Sequence, residues 1–308
     1  RFVRVRTQST AAQWSNDGLH WQDAALPSSG AWIQPCWGSA GFVTLAAGST
    51  SAALSTDGRS WTAITLPVSA QWEAVCFGGG RYVAVASQPA VIAVSRDGRV
   101  WQQADAPAAP WTAVCWSGER LAAVSGTASS PSQTAAFSLD GLHWQSADLP
   151  QQGAWSAVGH GTCGFVALAE SGAQGAVSAD GMTWQSMTVT DGTGFCALEN
   201  INGLLVALPS GSAGMVRVSA DGQSWQSAAM PETAQWRSVC MGGSRLLAAG
   251  GSAFAAAQVP LSSPQTSEHS PAYRTGWTVS ALPGQGPWTY IDFCVDRYVA
   301  LAGGTNQA

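Results

Sequence analysis

Six short stretches of the sequence combine a hydroxyl, a carboxylate and an indole at one fixed spacing, S-x-D-G-x-x-W. They are residues 15–21, 55–61, 95–101, 138–144, 178–184 and 219–225. Serine hydroxyls and aspartate carboxylates serve as nucleophiles and acid–base groups in enzymes. No His, Arg or second acid follows at a constant offset, however, so six copies of a catalytic site make no chemical sense.

The same spacing suits a tight turn. Ser and Asp at the start of a turn accept hydrogen bonds from backbone N–H groups inside it, and Gly supplies positive φ. The closing Trp buries a large apolar face. The pattern therefore predicts a structural turn motif, whose residues are Asp17, Asp57, Asp97, Asp140, Asp180, Asp221, Trp21, Trp61, Trp101, Trp144, Trp184 and Trp225.

The cysteines raise the question of a metal site. Cys36, Cys76, Cys115 and Cys240 each stand four residues after an aromatic residue that opens a strand. A ring of thiols and carboxylates at equivalent positions could hold a metal ion. Cysteine is also a small buried hydrophobe, and the chain has an odd number of cysteines, no C-x-x-C motif and only isolated histidines. We therefore expect packing, with no metal and no other cofactor.

The remaining charged residues do not form a recognisable catalytic set. Arg81, Arg120, Arg245 and Arg297 share one repeat position, which distributes them instead of clustering them. Paired carboxylates could hydrolyse a glycosidic bond, but no pairing is evident among Glu119, Glu170, Glu199, Asp191 and Asp292. We expect no enzymatic activity.

The elements that carry these residues repeat along the chain. The motif tryptophans recur every 40 to 43 residues, from Trp21 to Trp225. A second aromatic series opens each unit, at Trp32, Trp72, Trp111, Trp155, Phe195, Trp236 and Trp288. Residues 71–110 read as four short apolar strands separated by Gly, Pro and Asp-Gly turns. Four strands per unit of this length are typical of a β-propeller blade; a β-solenoid is the alternative.

The fold prediction is an all-β, seven-bladed β-propeller of four-stranded antiparallel blades. Residues 1–308 form a single domain, and residues 288–308 with 1–30 form a closing blade shared by the N- and C-termini. The other repeats are predicted near residues 31–70, 71–110, 111–154, 155–193, 194–234 and 235–287.

The turn motif resembles the Asp box, the BNR-type repeat of sialidases and other propellers, with one residue fewer between Asp and the aromatic. The longer pattern, from S-x-D-G through LP to the strand G-F-V-A, is similar to propeller repeats of phage tail and tail-fibre proteins. This resemblance covers residues 2–304, and it implies a propeller fold and a recognition or structural role.

Two loops depart from the repeat, and departures of this kind concentrate binding residues. They span residues 125–134 and 259–273 and are rich in Ser, Thr, Gln and Pro. Long loops are either functional or simply solvated insertions. The predicted binding residues are Ser129, Ser130, the Ser132–Gln133 pair, Gln265, Ser267 and His269.

The composition limits the function classes. The chain has no Lys, only 10% charged residues and a net charge of −5, which argues against nucleic-acid binding. No apolar run is long enough to insert into a membrane. We expect an extracellular or virion-associated module that binds a cell-surface glycan or another virion or surface protein. A sialidase-like glycoside hydrolase and a bacterial secreted or surface scaffold are the alternatives.

Overall fold

The computed structural model describes residues 1–189, 194–242, 245–250, 253–258, 277–279 and 290–293. All regular elements in these ranges are β-strands. No helix long and apolar enough to cross a bilayer occurs in this part of the chain.

The strands are numbered along the chain, and those described fall into seven groups of four, called blades 1 to 7. Blade 1 contains β28 (Tyr290–Phe293), β1 (Phe2–Val5), β2 (Ser9–Ser15) and β3 (Gln22–Trp32). Blade 2 contains β4 (Cys36–Gly38), β5 (Gly41–Ala47), β6 (Ser49–Ser55) and β7 (Thr62–Ala70). Blade 3 contains β8 (Trp72–Gly78), β9 (Arg81–Ala86), β10 (Val91–Ser95) and β11 (Gln102–Gln103).

The other four blades follow the same order. Blade 4 contains β12 (Trp111–Trp116), β13 (Leu121–Ser125), β14 (Ser132–Ser138) and β15 (Gln145–Gly153). Blade 5 contains β16 (Trp155–Gly161), β17 (Gly164–Ala169), β18 (Gln174–Ser178) and β19 (Gln185–Thr188). Blade 6 contains β20 (Phe195–Ile201), β21 (Leu204–Pro209), β22 (Ala213–Ser219) and β23 (Gln226–Ala234). Blade 7 contains β24 (Ser238–Gly242), β25 (Arg245–Gly250), β26 (Ala253–Gln258) and β27 (Trp277–Val279).

Each blade is an antiparallel meander whose central strands are buried on both faces. In blade 3, five of the six residues of Arg81–Ala86 are buried, although the side chains alternate between the two faces. The neighbouring blades cover both faces, so these strands read as continuous Val, Leu and Ala runs. The opening aromatics fill the spaces between blades and are almost completely buried, at Trp32, Trp72, Trp111, Trp155, Phe195 and Trp236.

The first strand of blades 3 to 6 contains a bulge directly after its opening aromatic. In blade 3 the register shifts between Trp72 and Ala74, so Glu73 has no partner residue in β9. The same shift occurs after Trp111, Trp155 and Phe195. A bulge redirects the extra side chain, and here the extra residues line the central axis.

The first strands form a closed ring around that axis. Each contacts the first strand of the next blade, and β28 contacts both β4 and β24. Within blade 1, β28 pairs with β1 in antiparallel register, with Phe293 opposite Phe2. The prediction of a closing blade built from both ends of the chain is thus confirmed. The number of blades in the complete chain stays a prediction, because residues 259–276, 280–289 and 294–308 lie outside the described ranges.

Blade 2 departs from the regular pattern at its first strand. Pro35 cannot donate a backbone hydrogen bond, and the strand is interrupted between Trp32 and Cys36. The end of β3 pairs with β5 instead, with Trp32 opposite Ala46, and β4 covers only Cys36–Gly38. This joins blades 1 and 2 into one eight-stranded sheet.

Candidate functional site

The six S-x-D-G-x-x-W stretches form nearly identical turns between the third and fourth strands. The Asp Oδ1 atom accepts hydrogen bonds from the backbone N–H groups of the two residues that follow the glycine. For Asp97 the distances are 2.8 Å from Arg99 and 2.9 Å from Val100. In five of the turns the Gly N–H donates to the Ser Oγ, at 2.8 Å for Gly181. All six glycines have φ between 67° and 75°. The indole N–H of Trp101 closes its turn by donating to the Gly98 carbonyl at 3.1 Å.

These hydrogen bonds set the protonation state of the turn carboxylates. Backbone N–H groups of Val100 and Arg99 hold the pKa of Asp97 below its ordinary value. Backbone N–H groups lower the pKa of Asp221 to about 2, although partial burial opposes them. Each carboxylate is ionised at neutral pH and already bonded inside its own turn, so it is poorly suited to act as a general acid or base.

The arginines at the start of the second strands link neighbouring blades. Arg120 Nη1 donates to the Asp180 carbonyl of the next blade at 3.0 Å, and Arg81 donates in the same way to the Asp140 carbonyl. Arg1 takes the equivalent position in blade 1 and donates to the Asp57 carbonyl at 2.6 Å. The guanidinium groups of Arg1, Arg81 and Arg120 are therefore distributed around the turn face, whereas Arg297, predicted at the same repeat position, lies outside the described residues.

Cys76, Cys115, Cys163 and Cys196 are free thiols. Cys76 and Cys115 pack against the hydrophobic clusters between blades 3, 4 and 5. Burial raises the pKa of Cys76 to about 12, which keeps it a neutral thiol and a poor metal ligand. Among the described residues, no group of three or more His, Cys, Asp or Glu is placed to hold a metal ion.

The loop at 125–134 reaches the axis only at its beginning. Gly126 and Thr127 line the cavity described below. Ser129, Ser130 and Gln133 are exposed outside it, while the Ser132 hydroxyl accepts a hydrogen bond from Ser125 at 2.8 Å. Gln265, Ser267 and His269, which were predicted to bind with them, lie outside the described residues.

A cavity of about 340 Å³ lies on the axis, at the end of the ring where the first strands begin. This volume is within the range of small-molecule sites. Its polar lining includes Gln34, Glu73, Thr112, Ser156, Glu170, Cys196, Glu199 and Arg237. Three carboxylates and one guanidinium therefore surround a space open to solvent.

In blades 4 to 6, the residue after the opening aromatic ties its blade to the next one. Ser156 Oγ donates to the Phe195 carbonyl at 2.5 Å, and Cys196 Sγ donates to the Trp236 carbonyl at 3.4 Å. Thr112 makes the same hydrogen bond to the Trp155 carbonyl. These hydrogen bonds hold neighbouring blades of the ring together.

Glu73 occupies this position in blade 3, where a hydroxyl or thiol donor would otherwise lie. Its Oε1 accepts a hydrogen bond from Ser87 Oγ at 2.6 Å. Burial raises the pKa of Glu73, the hydrogen bond from Ser87 partly offsets this, and the charge of Glu170 raises the pKa further. The two carboxylates thus repel each other across the cavity.

The other charged residues of the lining are Glu199 and Arg237. Glu199 comes three residues after Cys196 along β20, and its Oε1 accepts a hydrogen bond from Gln34 Nε2 at 3.4 Å. Arg237 lies beside Cys196: burial raises the pKa of this thiol, and the neighbouring guanidinium partly opposes the effect. The cavity thus contains three carboxylates, contributed by blades 3, 5 and 6, and one guanidinium.

Sequence reasoning missed this cavity, although alignment of the repeats contains a signal. Glu73 and Arg237 directly follow an opening aromatic, where other blades have Thr112, Ser156 or Cys196. Glu170 follows a second strand, at the position held by Ser87, Gly126 and Ser210 in other blades. The residues that mark the cavity in the sequence are charged residues at repeat positions near the axis, where other blades have small or polar residues. The long loops mark it less.

Comparisons with known proteins show similarity at the level of structure only. No protein-family profile matches the sequence, and no curated protein matches it. Virginiamycin B lyase from Staphylococcus aureus, solved as a catalytically inactive histidine-to-alanine variant with quinupristin, superposes with a TM-score of 0.70 at 10% identity, covering 80% of this chain and 87% of the lyase.

Two further solved structures are similar over most of the chain. YCF48 from Cyanidioschyzon merolae has a TM-score of 0.56 at 14% identity, covering 80% of this chain and 90% of its own. Apo AztD from Citrobacter koseri has a TM-score of 0.55 at 11% identity, covering 94% of this chain and 84% of its own. The chain has a β-propeller fold. At these identities the likeness concerns the fold alone.

These relatives correct the functional prediction made from the sequence. None of the three similar structures is described as a phage tail, virion or adhesion protein, and one of them is an enzyme. The prediction of a recognition or structural module of a phage tail or similar extracellular particle is therefore wrong, and its glycoside hydrolase and scaffold alternatives gain no support. The expectation of no enzymatic activity stays a prediction, because a likeness of fold does not decide it.

Proposed function

We propose that this chain is a ligand-binding β-propeller whose axial cavity binds a small organic molecule with a positively charged nitrogen. The observation that carries the proposal is the opposition of Glu73 and Glu170 in the cavity. Burial raises the pKa of Glu73 and the charge of Glu170 raises it further, so a cation bound beside the two carboxylates would be favoured. Both residues depart from the repeat, so the fold does not require either carboxylate.

The rest of the cavity suits the same class of ligand. Glu199 adds a third carboxylate, and three carboxylates against one guanidinium make the lining acidic. Arg237 offers a position for a carboxylate or another electron-rich group on the same ligand. Acidic clefts with low-dielectric walls concentrate cations. An amine or a zwitterion with excess positive charge fits this arrangement better than an anion.

Binding is favoured over catalysis by the chemistry of the lining. None of the described residues that line the cavity is a histidine. The similar lyase was solved as an inactive variant in which one histidine is replaced. Burial raises the pKa of the Cys196 thiol, which makes it a weak nucleophile.

A second part of the proposal is that the six turns, which lie on the face opposite the cavity, are related to the Asp box. The Asp carboxylate accepts two backbone hydrogen bonds in every copy, as at Asp17 and Asp221. In four of the six copies the Trp indole N–H also donates to the Gly carbonyl. In this proposal the turns hold the blades together and leave ligand binding to the axial cavity.

A thermal-shift comparison of charged probes tests the proposal. We expect putrescine, agmatine and betaine to raise the melting temperature, and succinate and glycerol at the same concentration and ionic strength to leave it unchanged. Stabilisation by succinate with no effect of the amines would overturn it.

A further inference from the structure

A groove of about 330 Å³ lies on the opposite face, between the turns of blades 4 and 5. Phe137 lies in its lining and is half buried. The rim carries Leu139, which is 68% exposed, and Met182, which is 41% exposed. Phe137, Leu139 and Met182 together form an apolar patch on a face whose other turns are mostly polar.

The repeat places a second copy of this groove between blades 1 and 2. Trp14 precedes the turn serine there, as Phe137 does in blade 4. His20 contacts Asp17 at 2.6 Å and His143 contacts Asp140 at 2.7 Å, in the same geometry. The blade-linking hydrogen bonds of Arg1 and Arg120 to the next turn are also equivalent.

The two grooves differ at the residue after the glycine of the following turn. This residue is Arg59 in blade 2 and Met182 in blade 5. The Arg59 guanidinium lies 4.1 Å from the centre of the Trp14 ring, at a distance typical of a cation–π contact, and Trp14 is only 7% exposed. Arg120 lies over Phe137 at 5.9 Å from the ring centre, as Arg1 lies over Trp14 at 5.0 Å, so Arg120 corresponds to Arg1 and the place of Arg59 has no arginine. The first groove is therefore filled by the chain's own arginine, and the second is not.

We propose that the groove between blades 4 and 5 is a docking site for an arginine side chain of a partner protein. The guanidinium would lie over Phe137, as Arg59 lies over Trp14, and apolar residues beside it would contact Leu139 and Met182. The nearby Arg120 does not prevent this, because Arg1 and Arg59 both lie over Trp14 in the filled groove. This surface is separate from the axial cavity, so the inference does not depend on the proposed ligand there.

The test titrates the tripeptide Leu-Arg-Leu, acetylated and amidated at its ends, into the protein. Binding is monitored by NMR through the ¹³C-methyl signals of the methionines. In the wild-type protein we expect a saturable shift of the Met182 methyl. Replacing the peptide's arginine with citrulline, which has the same shape without the charge, should abolish the shift. Equal shifts with both peptides, or no shift at peptide concentrations above about 10 mM, would overturn the proposal, since single exposed cation–π contacts bind weakly.

Two exchange variants make the test specific, and both positions are exposed enough to keep the fold. Met182→Arg should fill the groove from within, as Arg59 does, and abolish peptide binding while raising the melting temperature. Arg59→Met should open the first groove, so the introduced methyl gains a peptide-dependent shift and the protein binds two peptides. Peptide binding that is unchanged in Met182→Arg would show that the peptide binds elsewhere.

Discussion

Among single residues, the opening tryptophans differ in how their buried indole N–H groups are satisfied. Trp72 Nε1 donates to the Ser49 carbonyl at 3.0 Å. Trp111 Nε1 is equally buried but has no hydrogen-bond acceptor within the described part of the chain. An unsatisfied buried donor costs free energy, whereas a satisfied one stabilises the fold.

Phenylalanine substitutions distinguish the hydrogen-bonded indole of Trp72 from the unsatisfied indole of Trp111, because both substitutions remove the same side-chain volume. We expect Trp72→Phe to lower the free energy of unfolding by about 1 kcal/mol more than Trp111→Phe, since only the first breaks a hydrogen bond. Urea unfolding of the two variants measures the difference. Equal losses would mean that the Trp111 indole has a partner in solution.

Glu73 should make the unliganded protein less stable at neutral pH. Burial first, and then the charge of Glu170, raises its folded-state pKa above the unfolded value. Stability is therefore fully present below the unfolded pKa and is lost as the pH rises through the folded pKa. We expect Glu73→Gln to raise the melting temperature at pH 7 and to have no such effect near pH 3. A variant that is less stable than wild type at pH 7 would contradict this.

At the scale of elements, the Asp turns are the most strongly determined feature of the chain. Their hydrogen bonds are local, between residues at most three apart, and so the spacing of Ser, Asp, Gly and Trp was enough to predict a turn. The strands were predictable for a similar reason, because blades bury both faces and leave continuous apolar runs. The bulge after the opening aromatic of blades 3 to 6 was not predictable, since it depends on pairing with the next strand.

Removal of one turn carboxylate should destabilise the fold by a modest and definable amount. Asp180 accepts hydrogen bonds from the Met182 and Thr183 backbone N–H groups at 2.9 and 3.1 Å. Asp180→Ala is expected to cost about 1 kcal/mol, comparable to loss of a helix cap, while Asp180→Asn keeps the acceptor and costs less. Chemical denaturation provides the measurement. Asp148→Ala, at an exposed strand position, is the control that should change little.

For the whole molecule, closure of the ring joins the two ends of the chain. The pairing of β28 with β1 gives the N-terminal strand a partner that an open sheet would lack. Sequence repeats predicted this closure because the N-terminal segment lacks a first strand and the C-terminal segment supplies one. The axial cavity could not be predicted in the same way, because Glu73 and Glu170 come from different blades and meet only in the closed ring.

Truncation tests the contribution of closure. Deleting residues 288–308 removes β28 and should lower the melting temperature by about 5–10 °C and promote self-association through the exposed edge of β1. Deleting only residues 294–308 leaves β28 in place and serves as the matched control. Light scattering and thermal unfolding follow both effects. Identical behaviour of the two truncated chains would show that β28 is dispensable.

The most direct measurement is calorimetric titration of agmatine into the wild-type protein and into Glu73→Gln, Glu170→Gln and Glu232→Gln. The account predicts saturable binding to wild type, at least tenfold weaker binding to the first two variants, because each loses a charged hydrogen-bond partner, and unchanged binding to Glu232→Gln, whose carboxylate is exposed on β23 away from the cavity. Binding that is equal in all four proteins would contradict an acidic axial site.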